Sequence, residues 1–467
     1  MKSITMKRLA FLLIALLITV SLSAWDVGGY LDNTTGLAKA PVGAVGRNGT
    51  PIVVLPVQSA TIAAWLYHSF GLWSLDAQGS YTYDYPPVTK WGLLDLDRLV
   101  LGGAFPAEAG GARSLGFQIG RMQFSDSTGY VLDHSLDGLK LNIGWTASSF
   151  SAGVATSAVI QKPSSTIVMS NLDVEALGAN PEDDPEIYSP FAPPKLIATA
   201  EFQARSLVAG QDLTLGAVVQ EDLRPEAQLT PEFETAFDPT GGGGVMDTQY
   251  LSLMLSGGIT QGFFHRTYYT LNTGRTLTYR SDADSITGSS YQYTPIFGHL
   301  AGLELSYFLP QVLNSRIRLG GQFSTGDADS NDYYDGNTNE LATSFVPISA
   351  SSYSDVFTLQ PGNSGHVAVS YSLRPLSGIG LDILQTELSS VSYFRSMGGG
   401  PVSEGAVDAT EDGAYIGTDI DLKIVAQPFS DLRFVLAGGL FLPNAAVMTT
   451  GNKKVDYQFT LQGVLRF

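Results

Sequence analysis

The last thirteen residues, Val455 to Phe467, read VDYQFTLQGVLRF. Apolar side chains alternate with polar ones along this stretch, and the apolar members are Val455, Tyr457, Phe459, Leu461, Leu465 and Phe467. Residues two apart share one face of a β-strand, whereas in a helix they lie on opposite sides. The C-terminal stretch therefore predicts a strand with one apolar face and one polar face.

The same alternation recurs upstream. Leu139-Lys140-Leu141-Asn142-Ile143-Gly144-Trp145 has an apolar residue at every odd position, and residues 212–220, 316–323 and 366–374 follow the same rhythm. No apolar run after the first 24 residues approaches the ~20 residues that a membrane-spanning helix needs. The chain is nevertheless poor in charge, at 15%, and 44% hydrophobic. These features predict an all-β membrane protein that crosses the bilayer with strands.

Connection lengths predict how the strands are joined. Eight short turns are expected at 71–72, 106–113, 147–149, 206–210, 257–261, 310–314, 375–378 and 428–431. Long polar stretches separate the resulting pairs, at about 82–96, 125–136, 161–194, 221–246, 273–296, 326–365, 388–414 and 443–453. One further strand near Trp25 to Leu31 and the closing strand ending at Phe467 bring the number to 18. Short periplasmic turns and long extracellular loops are typical of a transmembrane antiparallel β-barrel.

The N-terminal region carries two separate predictions, one for residues 1–24 and one for residues 33–59. Residues 1–24 contain an early positive cluster, a charge-free stretch from Leu9 to Val20 and small residues up to Ala24, which indicates a secretory signal peptide. The barrel is then expected over residues 25–467. Residues 33–59 are rich in Gly and Pro, and for the run Ile52-Val53-Val54-Leu55 an extra strand and a plug segment inside the barrel are both left open.

Composition and motifs exclude several functional classes. The chain has no Cys, so disulfides, thiolate metal sites and cysteine nucleophiles are excluded. A formal net charge of −18 disfavours nucleic acid as a partner. Asp133-His134-Ser135 holds three triad residue types on one loop, where they do not converge. We predict no enzyme activity, no metal and no cofactor, with an outer-membrane hydrolase as an alternative that needs a converging Ser-His-Asp set.

Acidic loops are the remaining metal candidates. Loop 326–340 carries Asp327, Asp329 and further carboxylates, but Asp332 stands where a calcium loop needs Gly and Thr338 where it needs Glu. Residues 182–186 are acidic among prolines. Both are interpreted as solvated surface loops, and calcium binding by them stays open.

Contact with lipid determines which face of each strand can carry charged side chains. An Arg or Lys facing the middle of the bilayer costs about 2–4 kcal/mol, so the charged face should point inward. The predicted pore-lining or substrate-contacting residues are Arg98, Lys140, Arg205, Arg316, Arg318, Arg374, Lys423, Arg433, Arg466, Glu304, Asp419 and Asp421. The alternation leaves the facing of Arg121 and Arg266 open.

One arc of the wall is predicted to be basic. Arg316, Arg318, Arg374, Lys423 and Arg433 come from strands of the C-terminal third. Together they are expected to give a mild anion preference, which acidic residues on the same strands would oppose; these are Asp382, Asp419 and Asp421.

Two kinds of resemblance add to this interpretation. The C-terminal strand ending at Phe467 resembles the assembly signal of bacterial outer-membrane barrels. Gly120-Arg121-Met122-Gln123-Phe124, followed by Asp137-Gly138-Leu139-Lys140-Leu141, resembles alginate-export-type porins of Gram-negative bacteria, as does Gly417-Thr418-Asp419-Ile420-Asp421-Leu422 followed by Phe441-Leu442-Pro443. The resemblance implies an 18-stranded porin of the outer membrane, which agrees with the strand number above.

The expected function is passive transport of small or polymeric solutes, with anionic, carbohydrate-like ones among the candidates. The alternative is a structural or adhesive barrel whose lumen is plugged and whose long acidic loops act at the surface. Expected partners are outer-membrane lipid, lipopolysaccharide and, through Phe467, the barrel assembly machinery. The oligomeric state is left as monomer or trimer.

Overall fold

The structure is a computed structural model of the chain. It describes residues 25–40, 54–86, 92–107, 109–157, 165–170, 173, 193–224, 245–281, 289–330, 333, 341–354 and 356–467. The predicted signal peptide, residues 1–24, and the acidic segment 182–186 lie outside these residues. Within the described part of the chain, no helix is long and apolar enough to cross a membrane.

Eighteen strands make up one closed antiparallel sheet, as the alternation predicts. They are β1 (Trp25–Lys39), β2 (Val54–Phe70), β3 (Trp73–Tyr85), β4 (Gly92–Pro106), β5 (Ser114–Ser125), β6 (Asp133–Gly144), β7 (Ser148–Thr156), β8 (Lys195–Val208), β9 (Gln211–Asp222), β10 (Met246–Thr260), β11 (Phe263–Ser281), β12 (Ser289–Leu309), β13 (Ser315–Ser324), β14 (Ser364–Leu373), β15 (Leu384–Arg395), β16 (Tyr415–Ala426), β17 (Leu432–Pro443) and β18 (Asp456–Arg466). In the described part of the chain, the short 3₁₀ turns Ala109–Gly111 and Ser377–Ile379 lie within short connections.

The last strand closes the barrel against the first. β18 pairs with β1 in antiparallel register, with Tyr30 opposite Arg466. The Phe467 N–H donates to the Gly29 carbonyl at 3.0 Å, and the Gly29 N–H donates to the Phe467 carbonyl at 2.8 Å. A Cβ on Gly29 would lie 2.7 Å from the Phe467 ring, so glycine leaves room for the terminal side chain. The predicted pairing of the Phe467 strand with the first strand is confirmed.

The outer wall is apolar because strand residues alternate between lipid and lumen. On β13, Ile317, Leu319 and Phe323 point outward, and Phe323 is 50% exposed. The intervening residues Arg316 and Arg318 point inward. The charged positions thus avoid the hydrocarbon, as the cost of an outward Arg requires.

Several strands extend further toward the long loops than their sequence predicts. β3 and β4 occupy most of 82–96, and β11 and β12 occupy most of 273–296. Above the lipid both faces of a strand become polar, so alternation ends while backbone pairing continues. At the opposite end all eight short connections occur close to their expected positions, and three differ in detail. The β6–β7 turn lies at 145–147, the turn after β10 lies at Gln261 and Gly262, and the β14–β15 connection extends over 374–383.

The described part of residues 33–59 forms neither an extra strand nor a plug, the two possibilities left open by the sequence. Residues 33–39 continue β1, and residues 54–59 begin β2. The two segments pair with each other, for example Ala38 with Leu55. Residues 41–53, including Ile52 and Val53, lie outside the described residues.

Loops fill the interior at the long-loop end. A first apolar cluster joins inward residues of β4 to β12, such as Phe124 and Leu300, to loop residues; the loop members are Val131, Leu132, Ile167, Phe345 and Ile348. A second cluster joins inward residues of β15 to β17, such as Tyr393 and Phe441, to Phe357 and Leu359. We call residues 341–354 and 356–363 the strap, because this part of the β13–β14 loop contributes to both clusters.

Candidate functional site

Inward positions of β11 to β16 form rows around the wall, because neighbouring strands pair in register. The row nearest the short turns is Phe308, Arg316, Ser372, Glu387 and Lys423. The second row is Ser306, Arg318, Ser370, Ser389 and Asp421. The third row is Arg266, Glu304, Gly320, Ala368, Val391 and Asp419. Basic residues predominate in the first row and acidic ones in the third, so the arc is electrically polarised along the barrel axis.

These rows enclose a cavity of about 540 Å³ in the barrel interior. Its polar lining includes Arg266, Glu304, Arg316, Arg318, Glu387, Ser370 and Ser389. Three predicted site residues, Glu304, Arg316 and Arg318, therefore converge on one space. Cavities of this size accommodate small molecules.

The three arginines of the cavity differ in how they are held. Arg266 is neutralised by Glu304 at 3.2 Å. The Arg316 guanidinium lies 4.7 Å from the centre of the Phe308 ring, which orients it by a cation–π contact. Among the described residues, Arg318 has neither an ion pair nor a side-chain hydrogen bond, and it is exposed to the cavity. Two guanidinium groups are thus available to a solute.

Two tyrosines from loops form the roof of the cavity. Tyr353 of the strap lies with its ring centre 3.9 Å from that of His366, and Tyr130 of the β5–β6 loop lies 5.7 Å from Tyr353. Tyr130 also stacks on Tyr268 of β11 at 5.5 Å. Burial raises the pKa of both Tyr130 and Tyr353, so the hydroxyls of this roof stay protonated and uncharged.

A second space of about 550 Å³ lies against the opposite arc near the short turns. Small or neutral inward residues line it, namely Ser69, Ser74, Gly102, Gly116, Gln118 and Asn142. This arc leaves the turn-side interior open and carries no charge among those residues.

Other predicted site residues lie elsewhere on the inner wall. Arg98 forms an ion pair with Asp76 at 3.0 Å, and Lys140 lies 4.3 Å from the Phe124 ring and close to Glu201. The remaining basic positions are exposed near the short-turn ends of their strands; these are Arg205, Lys423, Arg433 and Arg466. The predicted residues therefore do not form a single site.

Two residues predicted to line the lumen have different positions. Arg374 lies in the turn after β14, where it contacts Asp382 at 3.7 Å, because the strand ends at Leu373. Asp419 is 0% exposed, since the strap covers it: its Oδ2 accepts hydrogen bonds from the Ser354 hydroxyl at 2.7 Å and the Phe357 N–H at 3.0 Å. Neither faces the cavity.

The facing of Arg121 and Arg266 is now defined. Arg266 points inward and donates hydrogen bonds to the carbonyls of Ser127 and Thr128. Arg121 shares the outward face of Ile119 and forms a bidentate pair with Asp137, at 2.8 and 2.7 Å. This pair lies at the loop-side edge of the apolar band, where the outward residues turn polar.

Sequence reasoning missed the residues that loops contribute to the cavity, above all Tyr130, Tyr353 and Ser352. Alternation carries no information about a loop, because no lipid contact imposes a period there. A usable signal was the group of large apolar residues inside the otherwise polar 326–365 stretch, among them Phe345, Ile348 and Phe357.

No family model and no curated protein matches the sequence. Among solved structures, the chain is similar to Pseudomonas aeruginosa OpdQ, with a TM-score of 0.53, 10% identity and coverage of 95% of this chain and 97% of that one. It is also similar to OpdK with vanillate, from the same organism, with a TM-score of 0.53, 14% identity and coverage of 95% of this chain and 98% of that one. For OccK2 (OpdF) of P. aeruginosa, in complex with glucuronate, the TM-score is 0.53 and the identity 13%, with coverage of 95% of this chain and 98% of that one. These similarities show the fold.

Proposed function

We propose that the protein is an outer-membrane porin through which small anionic solutes diffuse passively, with Arg316 and Arg318 as their contacts. The observation that carries the proposal is the cavity inside a closed barrel in which these two guanidinium groups are available. A water-containing interior of an 18-stranded barrel is wide enough for solute passage where loops do not fill it.

Charge within the cavity supports an anionic solute. Because Glu304 neutralises Arg266, the net charge of the cavity lining depends on Arg316 and Arg318 on one side and Glu387 on the other. The local excess is one positive charge although the chain as a whole carries −18. Charges on outer loops are screened beyond about 8–10 Å at physiological salt, so the nearby guanidinium groups have the stronger effect on a solute in the cavity.

Similar barrels and the cavity size support a small solute. Vanillate and glucuronate, named with OpdK and OccK2, each carry a carboxylate on a six-membered ring. A guanidinium binds such a carboxylate well, and serines and tyrosines beside it suit hydroxyl groups. A volume of about 540 Å³ favours a small molecule over a polymer.

Kinship with alginate-export-type porins is part of the proposal. Its support is the β5–β6 pair, in which Gly120 faces Gly138 and Arg121 bonds Asp137. Gly120 has φ +123, and a Cβ there would lie 2.0 Å from the Leu99 carbonyl oxygen, so glycine is required before the arginine. The apolar outer band and the terminal Phe467 support lipid contact and delivery by the barrel assembly machinery as further parts of the proposal.

The test is a reversal-potential measurement in planar bilayers under a salt gradient. For Arg316→Ala combined with Arg318→Ala, we expect the anion-to-cation permeability ratio to fall about threefold, since two positive charges leave a confined space. Arg374→Ala is the control: it removes one guanidinium charge from the turn, where Asp382 already pairs with it, and should leave the ratio unchanged. A cation-selective wild type, or a ratio unmoved in the double variant, contradicts the proposal.

A plugged barrel acting through its outer loops is the second candidate. The two apolar clusters that fill the long-loop half favour it. Conductance separates the candidates: folded protein that conducts is a channel, and folded protein without conductance is a surface barrel. Heat-dependent gel mobility identifies the folded form in both cases.

A further inference from the structure

We propose that Asp419 is a positioning residue that fastens the strap to the wall and thereby sets which solutes the cavity admits. The fastening of the strap is independent of the proposed channel function. The effect on which solutes the cavity admits rests on it. Asp419 belongs to the third row of inward residues, on β16, and contacts the strap at Ser354 and at the Phe357 backbone, where its second apolar anchor begins.

The strap is anchored on both sides of this contact. Before it, Phe345 and Ile348 are buried in the first cluster, and the Tyr250 hydroxyl donates to the Val346 carbonyl at 2.5 Å. After it, the Phe357 ring stacks on Phe441 with centres 4.1 Å apart. The segment around Tyr353 and Ser354 spans the interior between these anchors.

Asp419 makes the polar connection of that middle segment to β16. One carboxylate oxygen accepts from Ser354 and from the Phe357 backbone N–H. The Tyr393 hydroxyl donates to the Ser354 hydroxyl at 2.8 Å, which links the same point to β15. Because Tyr353 precedes Ser354, this contact fixes the residue that forms the roof of the cavity.

The carboxylate cannot act on a solute directly, since Asp419 is fully buried under the strap. Its effect must pass through the position of Tyr353 and Ser352, both of which line the cavity. Loss of the acceptor should free the roof and widen the cavity, whereas loss of charge alone should not.

The experiment compares Asp419→Ala with Asp419→Asn. Both remove the charge, but Asn keeps an oxygen that accepts the two hydrogen bonds. The reporter is Leu359→Cys, a fully buried strap position in a chain without native cysteine. With Asp419→Ala we expect a charged thiol reagent to label the Leu359→Cys protein about tenfold faster, as suits loss of the two hydrogen bonds to a buried carboxylate. With Asn the rate should stay near that of Leu359→Cys alone.

Transport readouts complete the test. Asp419→Ala without the cysteine should raise single-channel conductance and weaken block by glucuronate, and Asp419→Asn should match wild type. Ser354→Ala, which keeps the Asp419 charge, should change conductance and glucuronate block in the same direction as Asp419→Ala. It keeps the test valid if Asp419→Ala fails to fold.

The outcomes distinguish the two proposals. Faster labelling without conductance in any variant supports the strap contact and overturns the channel. The role of Asp419 is overturned if Asp419→Ala leaves the labelling rate of Leu359→Cys unchanged and blocks like wild type. It is also overturned if Asp419→Ala and Asp419→Asn have equal effects.

Discussion

In the long-loop half of the barrel, inward strand residues such as Phe124 and Leu300 are fully buried by loop side chains, whereas in the turn-side half inward residues such as Asn142 and Lys423 remain exposed. The same strands supply both sets. The wall therefore does not decide what the interior contains. Loops with apolar residues convert one half into a packed core, and short turns leave the other half polar and open.

Matched phenylalanine deletions should show the largest difference between the two halves. Phe345 is 0% exposed in the first cluster, and Phe308 is 40% exposed at the turn side. We expect Phe345→Ala to lower the free energy of unfolding by about 3–5 kcal/mol and Phe308→Ala by about 1 kcal/mol. Urea unfolding in vesicles, followed by tryptophan fluorescence, measures both. Equal losses would mean that the loop half is not a core.

A bulky residue in the open half should have a medium effect. Asn142 points inward beside Gly102 and Gly116, while Leu141 points to lipid. We expect Asn142→Trp to reduce single-channel conductance about twofold by narrowing the turn-side opening, and Leu141→Trp to leave it unchanged. Unaltered current in Asn142→Trp would show that solutes do not pass along this arc.

Most of the wall could be predicted from the sequence, and little of its filling. Contact with lipid imposes a two-residue period on the outward side chains. The sequence therefore shows directly that Ile317 and Leu319, or Leu139 and Leu141, share one face of their strand. The same rule placed Arg316 and Arg318 inside. The strap follows no period because its apolar residues meet a lumen surface of irregular shape. The burial of Asp419 and the roof formed by Tyr353 depend on that surface, which exists only once strands distant in sequence are assembled.

The smallest expected effect concerns pH and the start of the strap. Asp327 follows β13 and accepts a hydrogen bond from the Thr343 N–H at 2.9 Å. Burial, and next its hydrogen bond with Asp329, raises the pKa of Asp327 from 3.8 to about 6. Between these two values the folded chain binds more protons than the unfolded chain, so this group's contribution to stability decreases as pH rises through that window.

Asp327→Asn should remove that pH dependence. The urea midpoint of wild type should fall relative to that of Asp327→Asn as pH increases from about 4 to about 6, and the difference should be constant above that range. Parallel curves across the whole interval would show that Asp327 does not titrate there. The difference between the variants reports Asp327 together with Asp329, its hydrogen-bonded neighbour, while carboxylates elsewhere in the chain cancel.

The seam between Gly29 and Phe467 has a kinetic consequence. Every other neighbouring pair joins strands that are consecutive in the chain, so each can form as a local hairpin or meander. The β1–β18 seam instead joins residues separated by nearly the entire chain, and contacts of such separation form slowly because loop closure must come first. Until that step, both β1 and β18 present unpaired edges that can capture another chain. Formation of the β1–β18 pairing, from Tyr30–Arg466 to Ala38–Gln458, thus ends the interval during which an unfinished barrel is exposed to aggregation.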